Sequence, residues 1–223
     1  MEQTKGIIFD LDGTLADTLP LCLTSFQDAI EEVLGQRPAK EEVEAFWGHS
    51  EIGIVKNLCP ENWQKCFDAF LKIYQQKHFM CCKLFDGMVE ILDFLKQNSI
   101  KMALVTGKGK DSCRITLAEL GIEKYFDKVE TGSEIGSIKP ECMEKVLAQW
   151  GFAREEIYYV GDAVSDIIDS KSVKIKAVAA AWAKTARKEL LKAQKPDEIF
   201  YSVEDFSKWL KNIIKSNVSI HQL

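Results

Sequence analysis

The sequence lacks most of the features that would take it out of the class of globular proteins. Its 223 residues include only 5 prolines and 13 glycines, too few for a fibrous or low-complexity chain. No stretch approaches the ~18 apolar residues of a membrane-spanning helix, so no membrane partner is expected. The longest run of small apolar residues, Ala177 to Ala183, is far too short. The start, Met1-Glu2-Gln3-Thr4-Lys5, lacks the charged-then-apolar plan of a signal peptide and leads straight into a strand-like run. The chain lacks basic runs and carries a net charge of −5, which argues against a nucleic-acid partner. Seven cysteines (Cys22, Cys59, Cys66, Cys81, Cys82, Cys113 and Cys142) contain no CxxC pair. The three histidines, His49, His78 and His221, are scattered and form no ligand cluster. A disulfide scaffold and a zinc site are therefore not expected, and free thiols in a reducing cytoplasm are.

What is present is apolar content and alternation. Hydrophobic residues make up 46% of the chain, with 12 Phe and 5 Trp, enough to bury a core. The length suits one domain with an insertion, or two small ones. Lys5 to Phe9 reads as a buried strand that stops at Asp10. Leu19, Leu23, Phe26, Ile30, Val33 and Leu34 fall at helical spacing within 16–34, stopped by Gly35 and Pro38. Residues 41–58 and 61–79 also read as helical, so 16–84 contains helices and no convincing strand. Thereafter strands over 101–105, 126–130, 157–160 and 175–179 alternate with helices, the last marked by Phe206, Leu210, Ile213 and Ile214. The expected fold is α/β, a Rossmann-like parallel sheet covered by helices, with an inserted all-helical domain. The expected division is a core of residues 1–15 and 85–223 and a helical unit of 16–84.

In such a sheet, ligands bind at the carboxyl ends of the strands. The polar residues at those ends are Asp10 and Asp12, Thr106, and Asp162 with Asp166; Lys139 comes from the loop before a helix. Each alone has an ordinary reading as a cap, turn or solvated residue. Together, four carboxylates at one edge repel one another unless a cation is present, and hard oxygen ligands favour Mg²⁺. Thr106, Lys139 and free N–H groups of glycine-containing loops suit a phosphate. Metal, phosphate and an exposed carboxylate together suggest phosphoryl transfer with the carboxylate as nucleophile.

These segments resemble a known family. Phe9-Asp10-Leu11-Asp12-Gly13-Thr14-Leu15 is similar to the DxDGT motif of the haloacid dehalogenase (HAD) superfamily. Val105-Thr106-Gly107-Lys108, Ile138-Lys139-Pro140 and Val160-Gly161-Asp162-Ala163-Val164-Ser165-Asp166 resemble its second, third and fourth motifs, in the family's order, over roughly Gly6 to Ala180. Asp17-Thr18, Phe85-Asp86-Gly87 and Lys139-Pro140 resemble the phosphoglycolate phosphatase and β-phosphoglucomutase-like branch, whose helical insertion is a C1 cap. Some positions depart from that branch: Gly107 where Asn is frequent, Cys142 where KPxP has proline, and Asp169, Ser170 and Lys174 where small residues and Gly are usual.

The resemblance implies roles. Asp10 would attack phosphorus and form an acyl phosphate. Asp12 would protonate the leaving oxygen and then deprotonate water, a device typically worth ~10²–10⁴-fold. The Asp12 carbonyl, Asp10 and Asp162 would ligate Mg²⁺; Asp166 would hold the ion through water or orient Lys139. Thr106 and the Gly107 N–H would bind phosphoryl oxygens, and Lys139 would neutralise charge on Asp10 and the phosphoryl group. A second acid at Asp12 favours alkoxide departure over halide loss, hence a phosphatase. The implied function is an Mg²⁺-dependent, phosphoglycolate phosphatase-like enzyme acting on a small phosphorylated metabolite, cytoplasmic, as a monomer or homodimer. A phosphosugar mutase or a pyrophosphatase at the same site remains open, as does a non-catalytic phospho-accepting signalling module. In the cap, Trp47-Gly48-His49-Ser50-Glu51 interrupts the helical pattern and either faces the site or is a plain turn. Lys56 and Lys77 could meet a substrate anion or be solvated; Phe46, Trp63 and Phe70 read as cap core. No role is assigned to the tail 217–223.

Overall fold

A computed structural model describes residues 3–218. Six parallel strands form one sheet in the order β3-β2-β1-β4-β5-β6: β1 Gly6–Phe9, β2 Lys101–Val105, β3 Lys128–Glu130, β4 Ile157–Gly161, β5 Lys176–Ala180 and β6 Glu198–Phe200. Both neighbours of β1 are reached by crossovers, so the order reverses beside it, the position where open α/β sheets bind ligands. The central strands β1, β2, β4 and β5 are mostly buried and apolar because helices cover both faces. Ile7 and Phe9 point into one core with Met88, Leu92, Phe206 and Leu210, while Ile8 points into the other with Met143 and Val146.

Helices α1 (Leu19–Leu34), α2 (Lys40–Glu44), α3 (Glu51–Leu58) and α4 (Trp63–Cys81) lie between β1 and β2 in sequence and build their own apolar cluster. Phe26 stacks on Phe70, with ring centroids 4.2 Å apart, and Phe70 on Tyr74 at 5.5 Å. Phe70 is fully buried and Phe46 and Trp63 pack against this cluster, as core side chains do. Ile115, from the sheet-covering helix α6 (Lys110–Leu120), joins it. The chain leaves and re-enters the sheet layer by two adjacent connections: Ala16 bridges Leu84, the Asp17 N–H donates to the Lys83 carbonyl, and the Phe85 N–H to that of Leu15.

The remaining helices are α5 (Met88–Gln97), α7 (Lys139–Trp150), α8 (Val164–Ser172), α9 (Lys188–Ala193) and α10 (Val203–Val218).

Three local expectations need correction. Helix α1 begins at Leu19, not at residue 16, because Ala16 is spent on the bridge to Leu84 and Pro20 occupies the first turn. The single helix expected over 41–58 is two helices, broken where Gly48 takes φ +102. Strand β6 and the short helices α8 and α9 were not expected. A three-residue edge strand offers too little alternation, and α9, with 6 residues, is shorter than two turns. Cys22, Cys59, Cys66, Cys113 and Cys142 carry free thiols; the side chain of Cys81, together with His221 and most of the tail, lies outside the described residues. Among the described residues no helix is long and apolar enough to cross a membrane.

Candidate active site

Register decides what meets at the sheet edge. Phe9 pairs with Leu104 on one side and Val160 on the other. The next residues on these strands therefore emerge side by side: Asp10 after β1, Thr106 after β2 and Asp162 after β4. The Asp10 N–H donates to the Val160 carbonyl at 2.9 Å, extending the ladder by one residue and fixing where its side chain starts. The turn that follows needs Gly13, whose φ is +79 and whose missing Cβ leaves room for the Asp162 carboxylate. Thr14 donates to Asp162 Oδ1 at 3.1 Å, and the Trp182 indole N–H holds the Thr14 carbonyl at 3.0 Å.

A lysine sits inside the first acidic group. Lys139 Nζ donates to Asp10 Oδ2 at 2.7 Å and to Asp166 Oδ1 at 2.5 Å. Lys139 opens α7, with Pro140 in the first turn, so the motif itself positions it. Asp10 Oδ1 takes the Leu11 N–H at 2.7 Å. Asp166 is fully buried; the Ala163 N–H holds its Oδ2 at 2.9 Å and the Tyr159 hydroxyl lies 3.3 Å from its Oδ1. Oxygens of Asp10, Asp162 and Asp166 lie within 4.8 Å of one another. Burial raises the Asp10 pKa to about 6, against the pull of Lys139. Burial, with Asp10 and Asp166 adding to it, also holds the Asp162 carboxyl well above the usual carboxylate range. Burial opposes the charge on Lys139, yet Asp10 and Asp166 keep its pKa well above that of a free lysine. One ammonium against three clustered carboxylates leaves an unbalanced negative charge. A hard, oxygen-seeking divalent cation fits that donor set.

A second lysine forms a separate network, which residue type and spacing do not reveal even though Lys108 belongs to a quoted motif. The side chain of Lys108 is 1% exposed. Its Nζ lies 3.3 Å from both oxygens of Asp12 and 3.0 Å from Cys22 Sγ on α1. It is also 3.7 Å from Glu51 Oε1 on α3 and 4.6 Å from the ring centre of Tyr74 on α4. Thr18 donates its hydroxyl to Asp12 Oδ1. Glu51 accepts the Gly109 N–H at 2.5 Å and the Ser112 hydroxyl, so a helical-layer carboxylate caps α6 of the sheet layer. Burial works against the Lys108 charge, but Asp12 and its other neighbours hold the pKa well above normal. Burial pushes the adjacent Cys22 thiol up to about 12, so it stays protonated beside the ammonium. The only sequence sign of Lys108 is its place two residues after Thr106; Asp12 lies 96 positions away and Cys22 lies 86.

Both networks face one cavity of about 720 Å³ between the helical and sheet layers. Asp10, Asp12, Thr106, Gly107, Lys139 and Asp162 all line it; Asp166 stands behind Lys139 and does not. Of the segment 47–51, Trp47, Gly48, His49 and Glu51 line the cavity, which favours the site-facing reading over a plain turn. Lys56 and Lys77 do not line it. Lys56 pairs with Glu134 at 2.5 Å and sits over the Trp63 ring, and Lys77 is bonded to Asp28. At the departures from the branch pattern, a Cβ on Gly107 would meet nothing within 4 Å, so sterics do not demand glycine there. Cys142 is buried in the α7 core, and Ser170 bonds within its own helix.

The haloacid dehalogenase-like hydrolase family model matches residues 7–180. A protein of Caldanaerobacter subterraneus named "Putative pyrophosphatase PpaX" is 32% identical over 95% of this chain and 95% of its own length. A Bacillus mycoides protein named pyrophosphatase PpaX is 26% identical over 95% of this chain and 99% of its own. Among solved structures, a predicted phosphoglycolate phosphatase from Haemophilus somnus superposes with a TM-score of 0.76 at 23% identity, covering 95% of this chain and 98% of that one. A structure named putative β-phosphoglucomutase, from Thermotoga maritima, gives 0.74 at 22%, covering 94% and 99%. The structural likenesses establish the fold.

Proposed function

The chain belongs to the haloacid dehalogenase-like hydrolases, and from that membership we propose an Mg²⁺-dependent phosphatase of small phosphorylated metabolites that works through an aspartyl-phosphate. The observation that carries it is Asp10, a buried carboxylate at the switch point, bonded to Lys139 and open to the cavity. Asp10 and Asp162 would hold the ion, with the Asp12 carbonyl, while Asp166 orients Lys139 beside it, and the ion when bound would offset the charge between carboxylate and phosphoryl group.

The chain's own residues do the rest. Thr106, the Gly107 N–H and Lys139 orient the phosphoryl oxygens and screen them from Asp10. An Asp10 oxygen attacks phosphorus as the bond to the leaving oxygen breaks, and Asp12 gives that oxygen its proton. Asp12 then takes a proton from water, whose oxygen attacks phosphorus; the bond to Asp10 breaks and phosphate leaves. Lys108 is a positioning residue: equidistant from both Asp12 oxygens, it fixes the direction of the acid/base carboxylate together with Thr18. Residues 16–84 would act as a cap over a core of 1–15 and 85–223, excluding water. Free thiols fit a cytoplasmic setting.

The names of the sequence relatives favour a second reading, pyrophosphate as the substrate. Mg²⁺-dependent release of phosphate, with formation of an acid-stable, hydroxylamine-sensitive phosphoenzyme, tests the proposal. A fully active enzyme that yields no phosphoenzyme and needs no divalent ion would overturn it.

A further inference from the structure

The cavity has two unlike walls. Its floor is the charged sheet edge. Its roof carries an apolar stripe: Leu19, Leu23 and Phe26 fall at i, i+4 and i+7 of α1 and line the cavity together. Trp47 completes it, edge-on to Phe26 with ring centroids 6.4 Å apart. Trp47 is 37% exposed, a large aromatic surface left open on a cavity wall.

Charge on the roof is already matched. Lys40 pairs with Glu44 at 3.5 Å, and both line the cavity. Glu51 is consumed by Gly109 and Ser112. His49 Nδ1 sits 3.1 Å from the Phe46 carbonyl oxygen of its own loop. Lys108 is buried against Asp12. Of the cavity's Lys and Arg side chains, Arg187 alone forms no ion pair among the described residues, and it belongs to the sheet layer. A second phosphate leaving toward the helices would meet a lysine already paired with Glu44, the carboxylate of Glu51, hydrocarbon and indole. Moving such an anion out of water onto that surface is unfavourable. An unsaturated, flat leaving group would instead stack on Trp47 and cover the α1 stripe. A 720 Å³ space suits a ligand of that size and leaves a pyrophosphate ion loosely held.

Resting on the phosphatase reading above, we infer that the substrate is an organic phosphomonoester whose leaving group carries a flat aromatic face seated on Trp47, and not pyrophosphate.

The test compares 1-naphthyl phosphate, phosphoglycolate and pyrophosphate, all with Mg²⁺. Because aryl esters cleave more easily in any catalyst, affinity is read beside kcat/KM, by calorimetry on Asp10→Asn. The expected result is at least tenfold tighter binding of 1-naphthyl phosphate than of pyrophosphate. Trp47→Ala, an exposed loop substitution, should weaken naphthyl phosphate about tenfold and phosphoglycolate less than about twofold. Equal or tighter binding of pyrophosphate, or an equal loss for both esters in Trp47→Ala, would overturn the inference. If Asp10→Asn turns over these esters at the wild-type rate, it is the aspartyl-phosphate reading that falls. The affinity series still decides the roof in that case.

Discussion

Lys139 and Lys108 are both buried and both held by an aspartate of the DxDGT turn, yet they are built differently. Every partner of Lys139 comes from the sheet layer: Asp10, Asp166 and the Tyr159 ring. Lys108 takes Asp12 from that layer but Cys22, Glu51 and Tyr74 from three different helices of the inserted layer. The first network is complete without the helical layer. The second is complete only with that layer docked. Asp10 is thus held within one layer, whereas the surroundings of the Lys108–Asp12 pair are completed by side chains that the helical layer brings.

That contrast can be broken by experiment. Asp10→Asn should cut kcat by more than about 10⁴-fold with the fold intact by circular dichroism, because the proposed acyl phosphate forms on that carboxylate. Retained turnover would show that the networks do not divide the chemistry. Lys139→Met should lose about 10²–10³-fold in phosphatase kcat/KM, as for one preorganised electrostatic donor. A loss no larger than that of Lys108→Met would make the two lysines equivalent.

Divalent-ion binding should act on the sheet-layer network alone. Asp10 has a folded pKa raised from 3.8 to about 6. Its contribution to stability is therefore present below about pH 4 and lost as pH rises through about 6. Asp162 is shifted in the same direction. Above about pH 7, Mg²⁺ at roughly a hundredfold its Kd should raise Tm by about 5–10 °C, and near pH 4 by far less. Equal rises at both pH values, measured calorimetrically, would remove the carboxylates as the ion's site. The smallest effect is expected from Lys108→Met: kcat down about 10–100-fold with KM nearly unchanged, and partial recovery in Lys108→Arg. A change in KM alone, or no rescue by arginine, would reduce Lys108 to a packing residue.

Much of the sheet-layer site is legible in the amino-acid sequence. Strands end where apolar runs stop, so Asp10, Thr106 and Asp162 fall at one edge, and parallel pairing then makes them neighbours. Lys139 is legible through the proline beside it and the motif it resembles. Asp166 admits two readings, and its bonds to Lys139, Tyr159 and the Ala163 N–H favour the orienting one. Strand β6 is not legible because three residues carry too little periodicity. The roles of Lys108 and Glu51 are hidden for a different reason: neither residue type nor spacing distinguishes them from solvated charges.

The chain's alternation of apolar runs and turns determined the parallel sheet, its helical insertion and the cluster of acids at the strand ends. These follow from hydrogen-bonding geometry that repeats locally along each strand. Only the tertiary structure decided that Lys108 faces Asp12 and that Trp47 roofs the cavity. The first depends on which strands become neighbours and the second on how one packed layer docks on another, and no local period encodes either.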